Sequence, residues 1–565
     1  MLDLLLAQAA PDPSPMAEKL QYLAPEITLF IATVLVMILG SSPVRLRRAL
    51  CAPIAIGALG VAGILALFTP AMPAAPLPGL MSFAKPLIAG VGALLVLLVV
   101  GTVDDDIEEG VRRGIPFSSL RSNRAEFFAF FLFSITGLML TTSADDLICL
   151  FLALELTSLP TYVMVAISTR RAESQEAGVK YFFLGAFGAA IFLYGFTLLY
   201  GVAGTTQIFA PPGQPCITAT LTPMFVGGTE ALAASGGAGV GGGDIALLGL
   251  VLSIVGVCFK IAAVPMHFYT PDVYQGAATP IAAFLAFVPK TAGFIALILL
   301  VSTVGWEVGL PEPIRVTLWI IAALTMTVGN VLAWLQTSVK RLLAYSSIAH
   351  SGYMLVGLIA GPGAPGASGG GGNGLAALLF YLLAYAFMNL GAFAVLACLG
   401  RGGRASASGG QVGGGEVDSL DDLRGLCSTH PLLGWTMVLC AASLIGFPPL
   451  LGFFGKLYLF TSAISAGEIA LVVVLGVNSA IAAFYYLRLI ALPLLEEPTD
   501  HTRALRTTPH RARIVAAAIS AASTLALVPF VSPLMSASHH AVTGAPGATA
   551  GGSGAEPDLA RSGAP

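Results

Sequence analysis

The stretch FKIAAVPMHFYTPDVYQGAATPIAAFLAFVPKTAGF, residues 259–294, decides how this chain folds. It is apolar enough for a membrane interior, yet it carries Lys260, Lys290 and four prolines. Thr270-Pro271 and Thr279-Pro280 each have the pattern of an N-cap followed by proline at the first helical position. The stretch therefore predicts a membrane helix interrupted near Lys260, a short second piece, and a new helix that carries Lys290.

A second interruption stands at Gly446-Phe447-Pro448-Pro449, inside an apolar run over 430–464 that is too long for one straight crossing. Interrupted helices occur at membrane depth only where the freed backbone groups face protein or a water-filled cavity. Paired interruptions in corresponding positions of two halves indicate an inverted-repeat transporter with its ion site at the breaks. We predict an all-α polytopic membrane protein with two inverted five-helix repeats, broken in the seventh and twelfth helices.

Composition supports a membrane protein and excludes other classes. Of the 565 residues, 56% are hydrophobic and only 10% are charged, whereas soluble domains carry about 25% charged residues. A soluble globular protein, a disordered chain and a nucleic-acid binder are excluded. The seven cysteines stand singly, which predicts no iron–sulfur cluster, no zinc site and no disulfide framework. Gly236–Gly243 has the composition of a phosphate-binding loop, but no strand precedes it, so a flexible connector is favoured.

Fourteen apolar stretches are candidates for membrane-spanning helices of about 20 residues each. They are residues 26–41, 50–69, 85–103, 125–141, 146–168, 178–201, 244–264, 280–303, 314–336, 341–360, 375–399, 430–464, 468–494 and 511–536. The loops 227–243, 361–374 and 402–415 are rich in Gly, Ala and Ser. The predicted units are 1–124 (helices 1–3), 125–303 (first repeat), 314–494 (second repeat), 511–536 (helix 14) and 537–565 (flexible tail).

Lysine and arginine set the expected orientation, because cytoplasmic loops are enriched in these residues. Eighteen of them fall in alternate connections: Arg45, Arg47, Arg48, Arg112, Arg113, Arg121, Arg124, Arg170, Arg171, Lys340, Arg341, Arg401, Arg404, Arg424, Arg503, Arg506, Arg511 and Arg513. The opposite side has only Lys19, Lys85, Arg315 and Arg561. With an even number of spans, both termini are predicted on the periplasmic side.

Five charged residues lie inside apolar segments: Lys180, Lys260, Lys290, Lys456 and Glu155. Each such charge at mid-helix costs about 2.5–3.5 kcal/mol, so five facing lipid would cost on the order of 12–18 kcal/mol. They are therefore expected to point into the bundle or into water-filled cavities. The alternative is that a side chain extends to the membrane surface, and this applies most to Lys180, which begins its span.

Lysines near a carboxylate are suited to proton transfer rather than metal-ion transport. A carboxylate close to a lysine favours its charged form, so Glu155 moving toward or away from Lys260 would switch that lysine between holding and releasing its proton. Metal cations such as Na⁺ and Ca²⁺ prefer oxygen ligands, and a row of lysines repels them. This favours H⁺ over Na⁺, with no metal or cofactor site on this chain.

Several other polar residues have two interpretations at this stage. His267 and His350 are candidate proton relays, and a histidine hydrogen-bonded at a helix end is the alternative for each. Asp145, Asp146 and Asp104–Asp106 lie at or beyond span ends, where solvated loop charges are expected. Tyr381, Tyr385 and Asn389 share one helical face, which is interpreted as a packed aromatic face.

Three stretches together resemble a known family: 259–294 as quoted, KRLLAYSSIAHSGYMLVG at 340–357 and GFPPLLGFFGK at 446–456. They resemble the proton-translocating, antiporter-like membrane subunits of respiratory complex I, NADH-quinone oxidoreductase, and the chain from about residue 20 to 536 fits their fourteen-helix plan. The resemblance matches Glu155 to the glutamate of the fifth helix, and Lys260, Lys290 and Lys456 to the lysines of the seventh, eighth and twelfth; Lys180 also has a counterpart. A lysine at 456 argues against subunit M, and the absence of a long lateral helix after the fourteenth span argues against subunit L.

The resemblance implies a proton path and a set of partners. Protons would pass from the cytoplasm to Lys260, through Lys290 with help from His267 and His350, and out past Lys456, with Lys180 as a further relay candidate. Electron transfer from NADH through FMN and iron–sulfur clusters to quinone would take place on other subunits of the complex. The partners would be the other membrane-arm and peripheral subunits and the lipid bilayer, and the location the cell inner membrane.

Two other functions remain open from the sequence. One is a subunit of a multisubunit cation/H⁺ antiporter, which is a transporter rather than part of an oxidoreductase. The other is a structural scaffold whose lysines bind lipid headgroups. The first would not co-purify with iron–sulfur and flavin subunits, and the second would tolerate alanine at Lys290 and Lys456.

Overall fold

The computed structural model describes residues 15–70, 72, 75–169, 171–211, 213–226, 242–305, 310–363, 372–401 and 416–544. Arg170, Arg404 and Arg561 of the predicted topology lie outside these residues. So do the Gly-rich segment 402–415, most of 227–243, the middle of 361–374 and the predicted tail beyond residue 544.

The described residues fold into helices joined by short connections, with one small pair of strands. The helices are α1 (Pro15–Gly40), α2 (Arg45–Ala49), α3 (Cys51–Leu67), α4 (Leu80–Val99), α5 (Asp105–Arg112), α6 (Arg124–Thr142), α7 (Leu147–Ile167), α8 (Ala172–Ala203), α9 (Ile217–Val226), α10 (Gly242–Cys258), α11 (Thr270–Gly276), α12 (Thr279–Ser302), α13 (Glu312–Trp334), α14 (Val339–Ala360), α15 (Gly374–Cys398), α16 (Leu426–Thr429), α17 (Pro431–Ile445), α18 (Leu451–Ser465), α19 (Ile469–Leu495), α20 (Asp500–Arg503), α21 (Arg511–Ala526) and α22 (Val531–Thr543). Strands β1 (Leu399–Arg401) and β2 (Leu505–Thr507) pair antiparallel, with Leu399 opposite Thr507.

The all-helical membrane fold predicted from the sequence is confirmed, whereas the count of fourteen spans stays a prediction. Among the described residues, 11 helices are long and apolar enough to cross a membrane, or 12 if the bent pair α21 and α22 is one span. The two other predicted spans fall on the shorter apolar helices α10 and α17. The division into two five-helix repeats also stays a prediction.

The predicted fourteenth span is bent rather than straight. Helices α21 and α22 meet at an angle of 51°, and the turn Val528–Phe530 between them contains a proline. Proline ends the preceding helix because its nitrogen cannot donate and its ring clashes with the turn before it. Helix α22 then continues to Thr543, into the segment that the sequence predicts as a flexible tail.

The first predicted interruption is present between α10 and α11. The chain leaves α10 at Cys258 and passes through Ala262 in the left-handed region, with φ of 57°. The prediction that Thr270 and Thr279 are N-caps is wrong by one residue, because α11 and α12 begin at the threonines and neither preceding residue caps with its side chain. Proline still lies in the first turn of both helices, where its missing N–H costs no hydrogen bond.

The second interruption separates α17 from α18. Helix α17 ends at Gly446, whose φ is 89°, a conformation that glycine adopts without strain. The backbone N–H of Phe447 closes the helix end by donating to Ala442 O at 3.0 Å. A Cβ at Gly446 would lie 3.1 Å from Cδ of Lys456, so glycine also allows that lysine to approach the break.

The core of the bundle is formed by three helices that carry or face the sequence-predicted lysines. In the most apolar 18 residues of each helix, all residues of α12 and 94% of those of α14 and α15 are buried inside the protein. The span Arg45–Leu67 is only 28% buried and presents most of its surface to the surroundings. Lys290 on α12 therefore lies among protein side chains, far from any lipid-facing surface.

Candidate functional site

Lys260 lies two residues after the end of α10, in the first interruption, and faces α7. Its Nζ lies 2.9 Å from Oε1 of Glu155 and donates to Oγ of Ser158 at 2.6 Å. Glu155 and Ser158 are three residues apart, so they share one face of α7. The Lys260 side chain is 2% exposed and the Glu155 side chain 15%. This is a buried ion pair with a hydroxyl beside it.

Lys290 points from the middle of α12 toward α14. Its Nζ donates to the backbone oxygen of Ser347 and to Oγ of the same residue, the second at 2.6 Å. It also lies 5.3 Å from the centre of the Tyr385 ring, within the range of a cation–π contact. Both hydrogen-bond acceptors of Lys290 are neutral oxygens, whereas Lys260 is held by a carboxylate.

Ser351, one turn after Ser347 on α14, lies between the acceptor of Lys290 and the backbone of the first interruption. Its Oγ lies 2.6 Å from the carbonyl oxygen of Ile261 and 3.3 Å from the carbonyl oxygen of Ser347. Ile261 is the neighbour of Lys260 in the chain, and Ser347 is the acceptor of Lys290. The Ser351 hydroxyl is therefore within hydrogen-bond distance of a carbonyl next to Lys260 in the chain and of the carbonyl that accepts from Lys290.

His350 lies on α14 one turn beyond Ser347 and is fully buried. Its Nδ1 is 2.7 Å from the hydroxyl of Tyr381 and its Nε2 is 2.8 Å from the hydroxyl of Tyr486. Its ring centre is 5.1 Å from that of Tyr385, which also contacts Lys290. The histidine is therefore hydrogen-bonded on both ring nitrogens and packs on the tyrosine next to Lys290.

Lys456 lies on α18 at the second interruption. Its Nζ donates to the carbonyl oxygen of Ile445 at 2.8 Å, a carbonyl at the end of α17 that the helix itself does not use. The Nζ is 5.1 Å from the centre of the Tyr353 ring, and that ring is 5.4 Å from the His350 ring. His350 and Tyr353 thus stand between Lys290 and Lys456.

We call Glu155, Lys260, Lys290, His350 and Lys456 the charged row. The structure places these five sequence-predicted residues along the bundle from the first interruption to the second, with Tyr385 and Tyr353 between Lys290, His350 and Lys456. In the described part of the chain, no group of three His, Cys, Asp or Glu residues could hold a metal ion. The arrangement places groups that can bind and release protons, namely lysines, hydroxyls and a histidine, inside the bundle.

The structure does not bring Lys180 and His267 to the charged row. The Lys180 side chain is 45% exposed and pairs with Glu176 at 2.8 Å and Asp272 at 3.3 Å, as a lysine that reaches the surface would. His267 is buried in the first interruption, with its ring 4.5 Å from the Phe268 ring. Their roles as relays stay predictions.

The interpretation of Tyr381 and Tyr385 as a packed aromatic face is incomplete, because both belong to the surroundings of His350 and Lys290. Sequence reasoning also missed Ser158, Ser347, Ser351 and Tyr486. Serines and tyrosines inside membrane helices carry no sign of function unless their partner is known. The helical spacing from His350 to Ser347 was the only signal that could have found one of them.

Two lysines that the sequence counts as loop charges are in fact buried. Lys85 lies inside α4, where its Nζ is 2.7 Å from Oε1 of Glu26 and donates to the Tyr22 carbonyl oxygen at 2.7 Å. Lys340 lies in the first turn of α14, where it pairs with Glu416 and donates to the Ala277 carbonyl oxygen at 3.0 Å. In each case the partner carboxylate lies far away in sequence, so the pairing was invisible from the local pattern.

Fold and site together define the class of this protein as an antiporter-like membrane subunit, because a helical bundle with two interrupted spans surrounds a buried row of lysines. The family described as NADH:quinone oxidoreductase/Mrp antiporter, TM, matches residues 144–482. NADH-quinone oxidoreductase subunit N of Trichlorobacter lovleyi is 41% identical over 371 residues, which are 65% of this chain and 67% of that protein.

Solved structures agree with the match. A chain of respiratory complex I from Thermus thermophilus aligns with a TM-score of 0.68 and 31% identity, covering 91% of this chain and 98% of its own. A chain of the Mrp complex from Dietzia sp. aligns with a TM-score of 0.69 over 93% of this chain and 97% of its own, but at 19% identity it shows the fold alone. The chain belongs to the family of NADH-quinone oxidoreductase subunit N, which confirms the resemblance found in the sequence.

Proposed function

We propose that this chain moves protons through the charged row as one membrane-arm subunit of an H⁺-translocating NADH:quinone oxidoreductase. The observation that carries the proposal is that buried ionisable side chains extend from the first interruption to the second: the Glu155–Lys260 pair at 2.9 Å, Lys290 on Ser347, and Lys456 on Ile445 O. Buried ionisable groups inside a membrane are costly and mark ion pathways when they occur in rows.

Glu155 is the group that controls whether Lys260 holds its proton. In the present arrangement the carboxylate is 2.9 Å from Nζ, which favours the charged lysine. Separation of the pair would leave a buried ammonium without its counter-ion, which makes Lys260 a stronger acid and lets it give its proton to a Lys290 that starts in the neutral form. The ion pair therefore acts as the holding state, and its opening starts transfer.

Lys456 is the exit group. Its contact to Ile445 O at 2.8 Å uses a carbonyl freed by the second interruption, where polar backbone must face protein or water. His350, with both nitrogens hydrogen-bonded to tyrosines, relays between Lys290 and Lys456. His267 and Lys180 have weaker support, since their contacts lie outside the charged row.

The energy for this transport comes from partner subunits. Moving one charge against 100 mV costs about 2.3 kcal/mol, and the charged row contains no group that could supply it. NADH, FMN, the iron–sulfur clusters and quinone belong to other subunits of the complex, and electron transfer there drives the opening of the Glu155–Lys260 pair. The chain lies in the cell inner membrane with both termini on the periplasmic side, and protons move from the cytoplasm to the periplasm.

A second candidate function is a subunit of a multisubunit cation/H⁺ antiporter. The fold match to the Mrp complex supports it. Lys290 and Lys456 contact neutral oxygens, whereas a bound metal cation such as Na⁺ or Ca²⁺ prefers several oxygen ligands that include carboxylates. The contacts of these lysines therefore favour the oxidoreductase subunit. Co-purification with NADH dehydrogenase activity on a native gel separates the two candidates.

The proposal is tested by replacing Lys290 with Met in the assembled complex and measuring protons moved per NADH oxidised in proteoliposomes. We expect the ratio to fall while the complex assembles, because Met fills the volume but carries no proton. Arg47→Gln, at an exposed arginine outside the charged row, is the control. A Lys290→Met complex with an unchanged ratio would overturn the proposal.

A further inference from the structure

A cavity of 230 Å³ lies among the first helices, away from the charged row. Its walls come from α2, the end of α4, α5 and the beginning of α6. Four arginines line it (Arg45, Arg48, Arg112 and Arg124), with Asp105, Glu108 and His510 as the other ionisable groups. Phe127 and Phe128 belong to the apolar part of its lining, which we call the apolar floor.

Positive charge exceeds negative charge around this cavity. Three guanidinium groups share the single carboxylate of Glu108: Arg48 Nε at 2.8 Å, Arg124 Nη1 at 3.3 Å and Arg45 Nε at 3.7 Å. The other lining carboxylate, Asp105, is 2.5 Å from Nε2 of His510. Four arginines against two carboxylates leave a formal charge of +2 on the lining residues.

Asp104, the acidic residue directly before Asp105, does not remove this excess. Asp104, which does not line the cavity, is engaged by Ser122 Oγ at 2.7 Å and by the backbone N–H groups of Asn123 and Arg124 at 2.8 and 2.9 Å. Counting it still leaves one positive charge. Burial raises the pKa of Glu108, but Arg48, Arg124 and Arg45 lower it by more, so the pKa lies below its ordinary value. Glu108 is therefore ionised at neutral pH, and the charge of +2 already includes its negative charge.

The surroundings of the cavity point to a lipid. Leu46 and Leu50, on and after α2, are exposed at 73% and 41%, next to the cavity-lining residues Arg45, Arg48 and Ala49. The positive-inside rule assigns this arginine-rich end to the cytoplasm, and basic pockets between membrane helices on that side bind anionic headgroups. A ligand with a phosphate and acyl chains would satisfy the arginines, the apolar floor and the exposed leucines together.

We propose that this cavity binds the phosphate group of an anionic phospholipid. Arg45 and Arg112, the two exposed arginines of the set, contact the phosphate, because guanidinium groups bind phosphate oxygens with two parallel hydrogen bonds. Arg48 stays committed to Glu108 and to the carbonyl oxygens of Ser42 and Pro43, and holds the wall of the site. This inference is independent of the proposed proton path.

The test uses the assembled complex in phosphatidylcholine vesicles that contain a minor fraction of photoactivatable phosphatidylglycerol. After illumination, lipid adducts are mapped on peptides from α2, α3 and α5 by mass spectrometry. We expect adducts on these peptides, and a fall of about thirty-fold in the Arg45→Gln/Arg112→Gln variant, since two juxtamembrane charges are lost. Arg47→Gln, which alters an exposed arginine on the same helix outside the cavity, is expected to keep wild-type labelling.

Three results would overturn the inference. The first is equal labelling by photoactivatable phosphatidylcholine, which lacks the net negative charge. The second is loss of labelling when millimolar inorganic phosphate is added, which would make the cavity a site for a soluble anion. The third is labelling that does not fall in the Arg45→Gln/Arg112→Gln variant, which would mean that these arginines do not hold the lipid, or no labelling of the wild type, which would mean that no lipid fills the cavity. Proton pumping does not enter the readout, so failure of the proton path leaves this test intact.

Discussion

Lys260 and Glu155 form an ion pair across 2.9 Å that joins the first interruption of the bundle to the middle of α7. The two residues are 105 positions apart in sequence. Removing either partner of a buried pair leaves an uncompensated charge, which is costly. In the proposed function, this pair is the place where separation of α7 from the interruption would release the proton.

Replacing Glu155 with Gln should lower proton translocation by at least about tenfold, because a positioned proton-transfer partner contributes rate factors of this size or larger. Gln keeps the shape and a hydrogen bond to Lys260 but removes the negative charge. The measurement is the initial rate of acidification in proteoliposomes, divided by the rate of NADH oxidation. A wild-type quotient would show that Glu155 does not control the lysine.

Replacing Tyr381 with Phe should slow transfer past His350. The change leaves Nδ1 of the buried histidine without its partner at 2.7 Å, and an unsatisfied buried polar group costs about 1–3 kcal/mol. We expect a lower proton-to-NADH ratio and a lower temperature of thermal inactivation. Tyr194→Phe, at an exposed tyrosine, should change neither, and equal behaviour of the two variants would contradict the relay.

Replacing Lys85 with Met should destabilise the subunit by about 3–5 kcal/mol, because Glu26 then stays buried without its cation. The double variant Glu26→Gln/Lys85→Met should recover most of this loss, since no buried charge remains. The measurement is the temperature at which the subunit leaves the complex on native gels. A double variant no better than Lys85→Met would show that the pair contributes specific contacts rather than charge balance.

The stability of the α2–α5 contact should depend on acid pH through Glu108. Arginines lower the pKa of this carboxyl group in the folded protein, against the effect of burial. Its contribution is therefore fully present above the unfolded glutamate value of about 4.3 and is lost as the pH falls through the lower folded value. Thermal inactivation between pH 7 and pH 3.5 checks this, and Glu108→Gln should lack that part of the pH dependence.

The sequence predicted the interruptions and the lysines but not what connects them. Prolines after Lys260 and before Lys456 break the helical pattern, so both breaks were visible in the sequence. Ser347, Ser351 and Tyr486 gave no signal, because their importance comes from α12, α14 and α19 meeting in space. Lys340 is buried because it pairs with Glu416, which is 76 residues away in the sequence. From the sequence alone, a lysine at this position is expected to be a solvated loop charge.

The rule that predicts membrane orientation from lysine and arginine explains why Lys85 was wrongly counted as a loop charge. Counting lysines and arginines by connection assumes that a charge near a span end faces water. Glu26 and the Tyr22 carbonyl oxygen take up the Lys85 ammonium inside the bundle, so this lysine carries no information about topology. The remaining asymmetry between the two sides still favours the predicted orientation.

The most direct test of the proton path is the number of protons moved per NADH oxidised by a complex carrying Lys260→Ala. If the charged row is the path, this complex assembles but loses most of its proton translocation, because the lysine that Glu155 holds is gone. The Arg47→Gln complex should keep the wild-type number. A Lys260→Ala complex that pumps the wild-type number of protons would contradict the account.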